Sequence, residues 1–412
     1  MTRRPPAGRG AWAGPVVLAT GAALAAVLAA GCSSLAELSV VRTAAGTGCP
    51  RPDGVALVIG AHRDVPAPAL NPAQDARVAC LVTAAIRDKK PVWIVVADGQ
   101  PELTRLRLAD GTGSLAQQDS PWVSQDLRQV EASVAAARPD TAGADDLAAL
   151  EIAADGARSA GAPRAWLVLL DSGLDDGGAL DFTVPGVMAA APAEVAGQLR
   201  GDDELPRLDG FTVVLAGLGY TAPPQVLPPE KWRDNITAIW AAVAAAAGAR
   251  VEIVPAPAQG PSIRTGEPVR QVPVPAEQPV RPAAGRTFVL NGESPARFRP
   301  NSTAFTDPSA AMATLAVFAR WLAADPARHA WLAGTTADVG PMAGQVRLSV
   351  RRADRVRAEL VALGASPAQV SVRGEGSDFR QFVPDRSASG TLLAGPATLN
   401  RSVRITLGGP GG

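Results

Sequence analysis

The sequence predicts a two-part fold of α/β plus α+β class. An N-terminal doubly wound, mainly parallel sheet domain is followed by a Pro-rich linker and a C-terminal domain of βαβαββ type. Three observations predict it. From residue 54 to 254, short apolar β-branched runs alternate with segments of helical spacing, the pattern of a parallel sheet covered on both faces. Residues 255–284 shift to Pro, Gln, Gly and Val. Beyond them, two helical patterns lie among short apolar runs. The 412 residues leave room for two domains plus tails. Lys+Arg and Asp+Glu both total 39, so no global field draws the chain to nucleic acid, and no nucleic-acid partner is expected.

In chain order, Arg3, Arg4 and Arg9 form a basic leader, Val16 to Ala30 is almost wholly apolar, and Ala29-Ala30-Gly31 precede Cys32. These are the parts of a secretion signal, here over residues 1–31. A cysteine directly after Ala-Ala-Gly resembles a bacterial lipobox. That resemblance implies a diacylglycerol on the Cys32 sulfur, with the signal removed ahead of it. An uncleaved anchor is the other reading, because Ala11 to Ala30 is just long enough to span a bilayer. Both place the rest of the chain in the cell envelope, membrane-anchored on the extracytoplasmic side. Residues 32–48 form a tether. Cys49 and Cys80 remain, and in an oxidising compartment two thiols can pair. Such a bridge would staple one βα unit and contribute about 3–4 kcal/mol in the chain-entropy model. The alternative is a buried thiol at Cys80 and an exposed one at Cys49.

The domain over residues 49–254 begins with a buried strand, Val55–Ile59. Pro72 to Arg87 is helical, with Ala76, Ala79, Cys80, Thr83 and Ile86 at helical spacing. Strands follow at Val92–Val96, Ala165–Leu170 and Phe211–Ala216, then a helix from Trp232 to Ala247 and a last strand, Val251–Val254. Ligands of open α/β sheets gather at the carboxyl ends of the strands. His62, Arg63, Asp64, Asp98, Asp171, Ser172 and Tyr220 stand there. A hydrolase or a metal site is one reading of this set; aspartates that cap helices and turns are the other. The element order weakly resembles a von Willebrand factor A-like domain. That family's Asp-x-Ser-x-Ser metal motif is absent, and Gly60-Ala61-His62-Arg63-Asp64 stands in its place. Asp171-Ser172-Gly173 lacks the glycine-flanked elbow of a serine nucleophile. Asp175-Asp176-Gly177-Gly178 reads as a tight turn rather than a calcium loop. The expectation is a partner-binding domain with no catalytic residue, metal or cofactor. An enzyme using His62, Asp98 and Asp171 is the alternative.

Residues 255–284 favour stiff, extended chain and at about 3.1 Å per residue would reach some 90 Å. Val269 to Val274 is alternatively an edge strand that ties the domains together.

The C-terminal domain, residues 285–408, leaves 409–412 as a tail. Phe298-Arg299-Pro300-Asn301-Ser302 precedes a helix marked by Met312, Leu315, Ala316, Ala319 and Leu322. Asp307-Pro308 supplies its N-cap and N1 residues. A strand at Ala330–Ala333 leads into the loop Gly334–Gly340. The next helix ends at Gly364, a strand covers Val370–Arg373, Gly374-Glu375-Gly376 turns, and the last strand is Asn400–Thr406. On the second helix Leu348, Val356, Leu360 and Leu363 share one arc, and Arg352 lies inside it. A guanidinium on a core-facing stripe must find a counter-charge or acceptors. One reading is an ion pair, for example with Glu359. The other is a pocket in which Arg352 captures a carboxylate with a bidentate fork.

The order and the residues of Thr287 to Leu407 resemble the peptidoglycan-binding OmpA-like domain family. Leu348, Ser349, Arg352 and Ala353 match its Leu-Ser-x-x-Arg-Ala signature. Asn400, Arg401 and Val403 match Asn-Arg-Arg-Val, with Ser402 at the third position. Gly334, Thr336 and Gly340 match its Gly-His-Thr-Asp-x-x-Gly loop, but Thr335 replaces the histidine and Ala337 the aspartate. In the family, that aspartate and the helix arginine hold the two charged ends of a diaminopimelate side chain. The resemblance implies peptidoglycan stem binding through Arg352, with Gly334 and Thr336 around it and Asn400 and Arg401 mainly structural. Asp338, one residue beyond the substituted position, either supplies the missing charge or is a loop or capping residue.

Overall fold

A computed structural model describes residues 41–42, 48–70, 76–108, 121–254, 261–276 and 279–409. The secretion signal, Cys32, almost all of the tether and residues 72–75 of the first helix lie outside the described residues. Among the described residues no helix is long and apolar enough to cross a membrane.

The N-terminal half is built from β1 (Val41–Arg42), β2 (Val55–Ile59), α1 (Ala76–Arg87), β3 (Val92–Val96), β4 (Leu103–Arg105), α2 (Pro121–Ala136), α3 (Asp146–Ser159), β5 (Trp166–Leu170), α4 (Pro192–Gly201), β6 (Thr212–Ala216), α5 (Glu230–Ala246) and β7 (Arg250–Val254). The strands pair in the order β1-β7-β6-β5-β2-β3-β4. All neighbours are parallel except β4, which runs antiparallel to β3. Alternation along a strand sends successive side chains to opposite faces. Ala56 and Val58 of β2 join a core with α3, α4 and α5. Val55, Leu57 and Ile59 join a second core with α1 and α2. The doubly wound sheet expected from the apolar runs is therefore present. From β2 the chain moves outward to β3 and β4, then returns to the other side of β2 as β5. The carboxyl ends of β2 and β5 thus flank the topological switch point. Cys49 and Cys80 form a disulfide, with Cα atoms 5.8 Å apart, tying the chain before β2 to α1.

The C-terminal half comprises β8 (Thr287–Leu290), α6 (Pro308–Ala323), β9 (His329–Thr335), α7 (Met342–Ala362), β10 (Val370–Gly376), α8 (Ala394–Asn400) and β11 (Val403–Gly408). Its strand order is β10-β9-β11-β8, with β10 and β9 parallel and β11 antiparallel to both neighbours. Asp307 caps α6 by accepting the Ala310 N–H at 3.0 Å. The core lies between the sheet and α6 and α7, around Leu315, Phe318, Leu332, Val356, Leu360 and Ile405. The last strand starts at Val403, not at Asn400. Asn400 ends the short helix α8, because its side chain is committed to the loop at residues 383–385.

The Pro-rich segment does not hang free where it is described. The Gln225 side chain donates to the Val272 carbonyl at 3.0 Å and accepts the Val272 N–H at 2.8 Å. This amide satisfies both backbone groups of Val272, and residues 269–274 form no strand. Val272 is buried in the first core, and the Trp232 indole donates to Pro275 O at 3.1 Å. The described residues, from 41 to 409, belong to one compact unit.

Candidate functional site

In the C-terminal half the site begins with small residues that let α7 approach the sheet. A Cβ on Gly334 would lie 1.9 Å from the Ser349 carbonyl oxygen, and one on Gly374 2.4 Å from its hydroxyl. Only glycine admits that spacing. Ser349 uses it: its hydroxyl donates to Val346 O at 2.8 Å and accepts the Gly376 N–H at 3.1 Å. One turn on, Arg352 is 1% exposed. Its Nε donates to Ser302 O at 3.0 Å, Nη1 to Thr335 O at 3.4 Å and Nη2 to Arg299 O at 3.3 Å. The guanidinium also sits over the Phe298 ring, 5.4 Å from its centroid.

Two expectations are corrected here. Glu359 is not the partner of Arg352; it pairs with Arg355 at 2.6 Å. Nor does Arg352 open into a pocket in this conformation. Residues 298–302 and the end of β9 surround it and supply its acceptors. Burial, then the neighbouring Arg401, bring its pKa down to about 10, partly offset by Glu194. It therefore stays charged at neutral pH. A guanidinium has five N–H donors, so three carbonyl bonds leave donor capacity on Nη1 and Nη2.

Thr335, at the place of the family histidine, is buried and donates to Asn400 O at 2.6 Å. Its oxygen also accepts the Ser402 N–H at 3.2 Å. Thr336 is buried, with no hydrogen-bond partner for its hydroxyl, while its N–H donates to Gly376 O at 2.8 Å. Asn400 donates to Val383 O at 2.7 Å and to Asp385 Oδ2 at 2.9 Å. Asp338 is not beside Arg352: its Oδ1 accepts from Gln345 at 2.9 Å, and its N–H donates to Asp385 at 3.0 Å. Ala337 is buried and supplies no charge.

Arg401 differs from the rest. Its fork meets Glu194 of α4 bidentately, Nη1 to Oε2 at 2.6 Å and Nη2 to Oε1 at 2.7 Å. Glu194 was not singled out from the sequence. The available signal is a polar stripe at Glu194, Gln198 and Asp202, one every four residues, on a segment whose Val195, Ala196 and Leu199 are buried. A cavity of about 160 Å³ borders Arg401, lined also by Ala190, Asn235, Phe298, Arg299 and Thr398 among others.

The carboxyl-end residues of the N-terminal half also come together, in part. His62 is buried and donates to Asp171 at 3.0 Å through Nε2, while Nδ1 meets Asp64. Burial would lower the imidazole pKa, but the Asp171 and Asp64 charges hold it well above its usual value. Burial resists ionisation of Asp171, yet the His62 charge holds its pKa below the ordinary one. Asp146 is pushed well up by burial and by Asp171 and Asp175, and Asp175 by burial and Asp145. Asp98 is drawn off to the backbone, accepting N–H bonds from Gln100, Asp140 and Thr141 at 2.8–3.0 Å. Ser172 caps its own turn by accepting the Leu174 N–H at 3.3 Å. Arg63 is exposed, and the Tyr220 ring lies beneath Arg233. Among the described residues no three His, Cys, Asp or Glu side chains are arranged to hold a metal ion.

Comparison with known proteins falls on the C-terminal half. Residues 297–390 match the OmpA family and form an OmpA family domain. Three solved structures are similar to parts of this chain. The peptidoglycan-associated lipoprotein from Burkholderia pseudomallei is 24% identical, over 29% of this chain and 88% of its own, with a TM-score of 0.24. The periplasmic domain of Helicobacter pylori MotB is 20% identical, over 32% and 80%, with a TM-score of 0.25. The OmpA-like domain of FopA1 from Francisella tularensis is 16% identical, over 30% and 73%, with a TM-score of 0.23. No curated protein matches the chain.

Proposed function

We propose that this chain is a bacterial cell-envelope lipoprotein, anchored at Cys32. Its OmpA family domain binds peptidoglycan non-covalently, and its α/β half serves a protein partner. The observation that carries the reading is Arg352. Removing a cation from water costs several kcal/mol even after relaxation. This one is held among apolar side chains of the family domain by three backbone carbonyls and the face of the Phe298 ring. A fold that keeps such a group charged, with donors to spare, is suited to an anion from outside. Recognition leans on the carboxylate end of the peptide stem, because Ala337 offers nothing to an ammonium and Asp338 is taken by Gln345.

The α/β half acts as a binding module rather than an enzyme. Both ring nitrogens of His62 face carboxylates, so neither is left to accept a proton from a substrate. A second reading is a scaffold whose C-terminal domain has given up wall binding and contacts protein; the loss of the loop aspartate at Ala337 favours it.

Sedimentation of the full-length chain with purified sacculi separates the two. Arg352→Lys keeps the charge but loses the planar fork. The first reading expects wild type to be retained and Arg352→Lys to bind about tenfold more weakly, ~1.4 kcal/mol. Equal retention of both removes Arg352 from the site. No retention of wild type on sacculi of its own cell type favours the scaffold.

A further inference from the structure

We propose that helix α4 is an internal latch: Glu194 occupies the Arg401 fork of the C-terminal domain, and a wall carboxylate must displace it. This rests on the wall-binding reading above and adds how that site is controlled. Three polar residues of α4 and its C-cap, spaced one helical turn apart, each meet the C-terminal half. Glu194 grips Arg401 in a two-bond fork. Gln198 Oε1 accepts the Ala394 N–H at 2.8 Å. Asp202 accepts from the Ser387 and Ser389 hydroxyls at 3.0 and 2.6 Å. The remaining contacts of the junction point the same way, with Arg297 stacked over the Trp232 ring of α5 at 4.9 Å.

Glu194 is placed as a ligand would be. It makes the bidentate carboxylate–guanidinium geometry that is among the strongest polar contacts, in a setting where Arg401 is 7% exposed. The space left beside Arg401 is about 160 Å³, comparable to a cavity that admits one benzene-sized molecule. A branched peptide stem does not fit while α4 is in place. Stem binding and the α4 contact are therefore competing states of one equilibrium, and each ligand shifts it by its difference in affinity for the two states.

The test uses the full-length chain and sacculus sedimentation, with two independent changes. Glu194→Gln removes the charge and nearly preserves the shape. The pair Gly201→Cys with Thr391→Cys locks the junction: an ideal Cβ on Gly201 lies 3.3 Å from the Thr391 Cβ, close to the roughly 3.5–4.5 Å of natural disulfides. A latch predicts that Glu194→Gln raises affinity for sacculi at least about fivefold, the low end of ordinary coupling. It also predicts that the oxidised lock weakens binding by at least as much and that reductant restores it, with reduced wild type as the control for Cys49–Cys80. Glu194→Gln binding no better than wild type, or a lock equally retained oxidised and reduced, overturns the latch. In that case wild-type retention leaves the wall-binding reading standing. If no form is retained, open or closed, both fall.

Discussion

His62 and Arg352 are buried cations neutralised in different ways, and that difference separates structure from recognition. His62 lies between two carboxylates, so its charge is consumed internally. Its raised pKa gives stability that is fully present below the unfolded value of about 6.5 and is lost as pH rises through the folded value. Asp146 and Asp175 have the same sign: burial and neighbouring carboxylates disfavour their ionised forms, so stability is lost as pH rises through their folded values. Asp171 is opposite, its contribution present above about 3.9 and lost as pH falls through its lowered value. Urea unfolding is expected to show stability declining as pH rises above about 6.5, and His62→Asn is expected to flatten that decline. Parallel pH profiles for the two proteins would exclude His62 as the titrating group. Arg352, by contrast, has carbonyls for partners and donors left over, which is why the wall-binding proposal is placed there.

At the scale of elements, the approach of α7 to β9 decides whether Arg352 can reach the end of that strand. Gly334→Ala sets a methyl against the Ser349 backbone. Overpacking of this kind costs about 1–3 kcal/mol, read as a lower urea midpoint at unchanged slope; an unchanged midpoint would show that the contact relaxes freely. This part of the site was legible in the sequence because Gly334, Leu348, Ser349 and Arg352 are local to one strand–loop–helix unit. The capping pair Asp307-Pro308 was legible for the same reason. Asn400 was misplaced as strand, since its amide bonds a loop some fifteen residues upstream, and no periodicity records that. The pairing of Glu194 is harder to read than its polar stripe, because its partner lies 207 residues away. A glutamate in a first helical turn is what the helix dipole favours anyway.

Across the whole molecule, the long spacer expected from residues 255–284 is partly used to cover the α/β half. Gln225 pins Val272 there, and Arg270 reaches Asp181 at 2.9 Å. Gln225→Ala leaves one buried N–H and one carbonyl of the segment without partners, at about 1–3 kcal/mol each. Limited proteolysis is expected to cut near residue 272 several times faster than in wild type, with the rest of the digest unchanged; identical cleavage rates would mean that the apolar contacts alone hold the segment. Docked linker, α4 contact and buried arginine together describe a closed chain, in which the proposed wall-binding group is the Arg352 fork. Its recognition of a carboxylate is tested most directly by equilibrium binding of the full-length chain to two synthetic peptide stems, identical except that one has its carboxylates amidated. Binding of the free-carboxylate stem at least about tenfold tighter, ~1.4 kcal/mol, is the predicted result. Equal affinity for the two stems, or no binding of either, would contradict it.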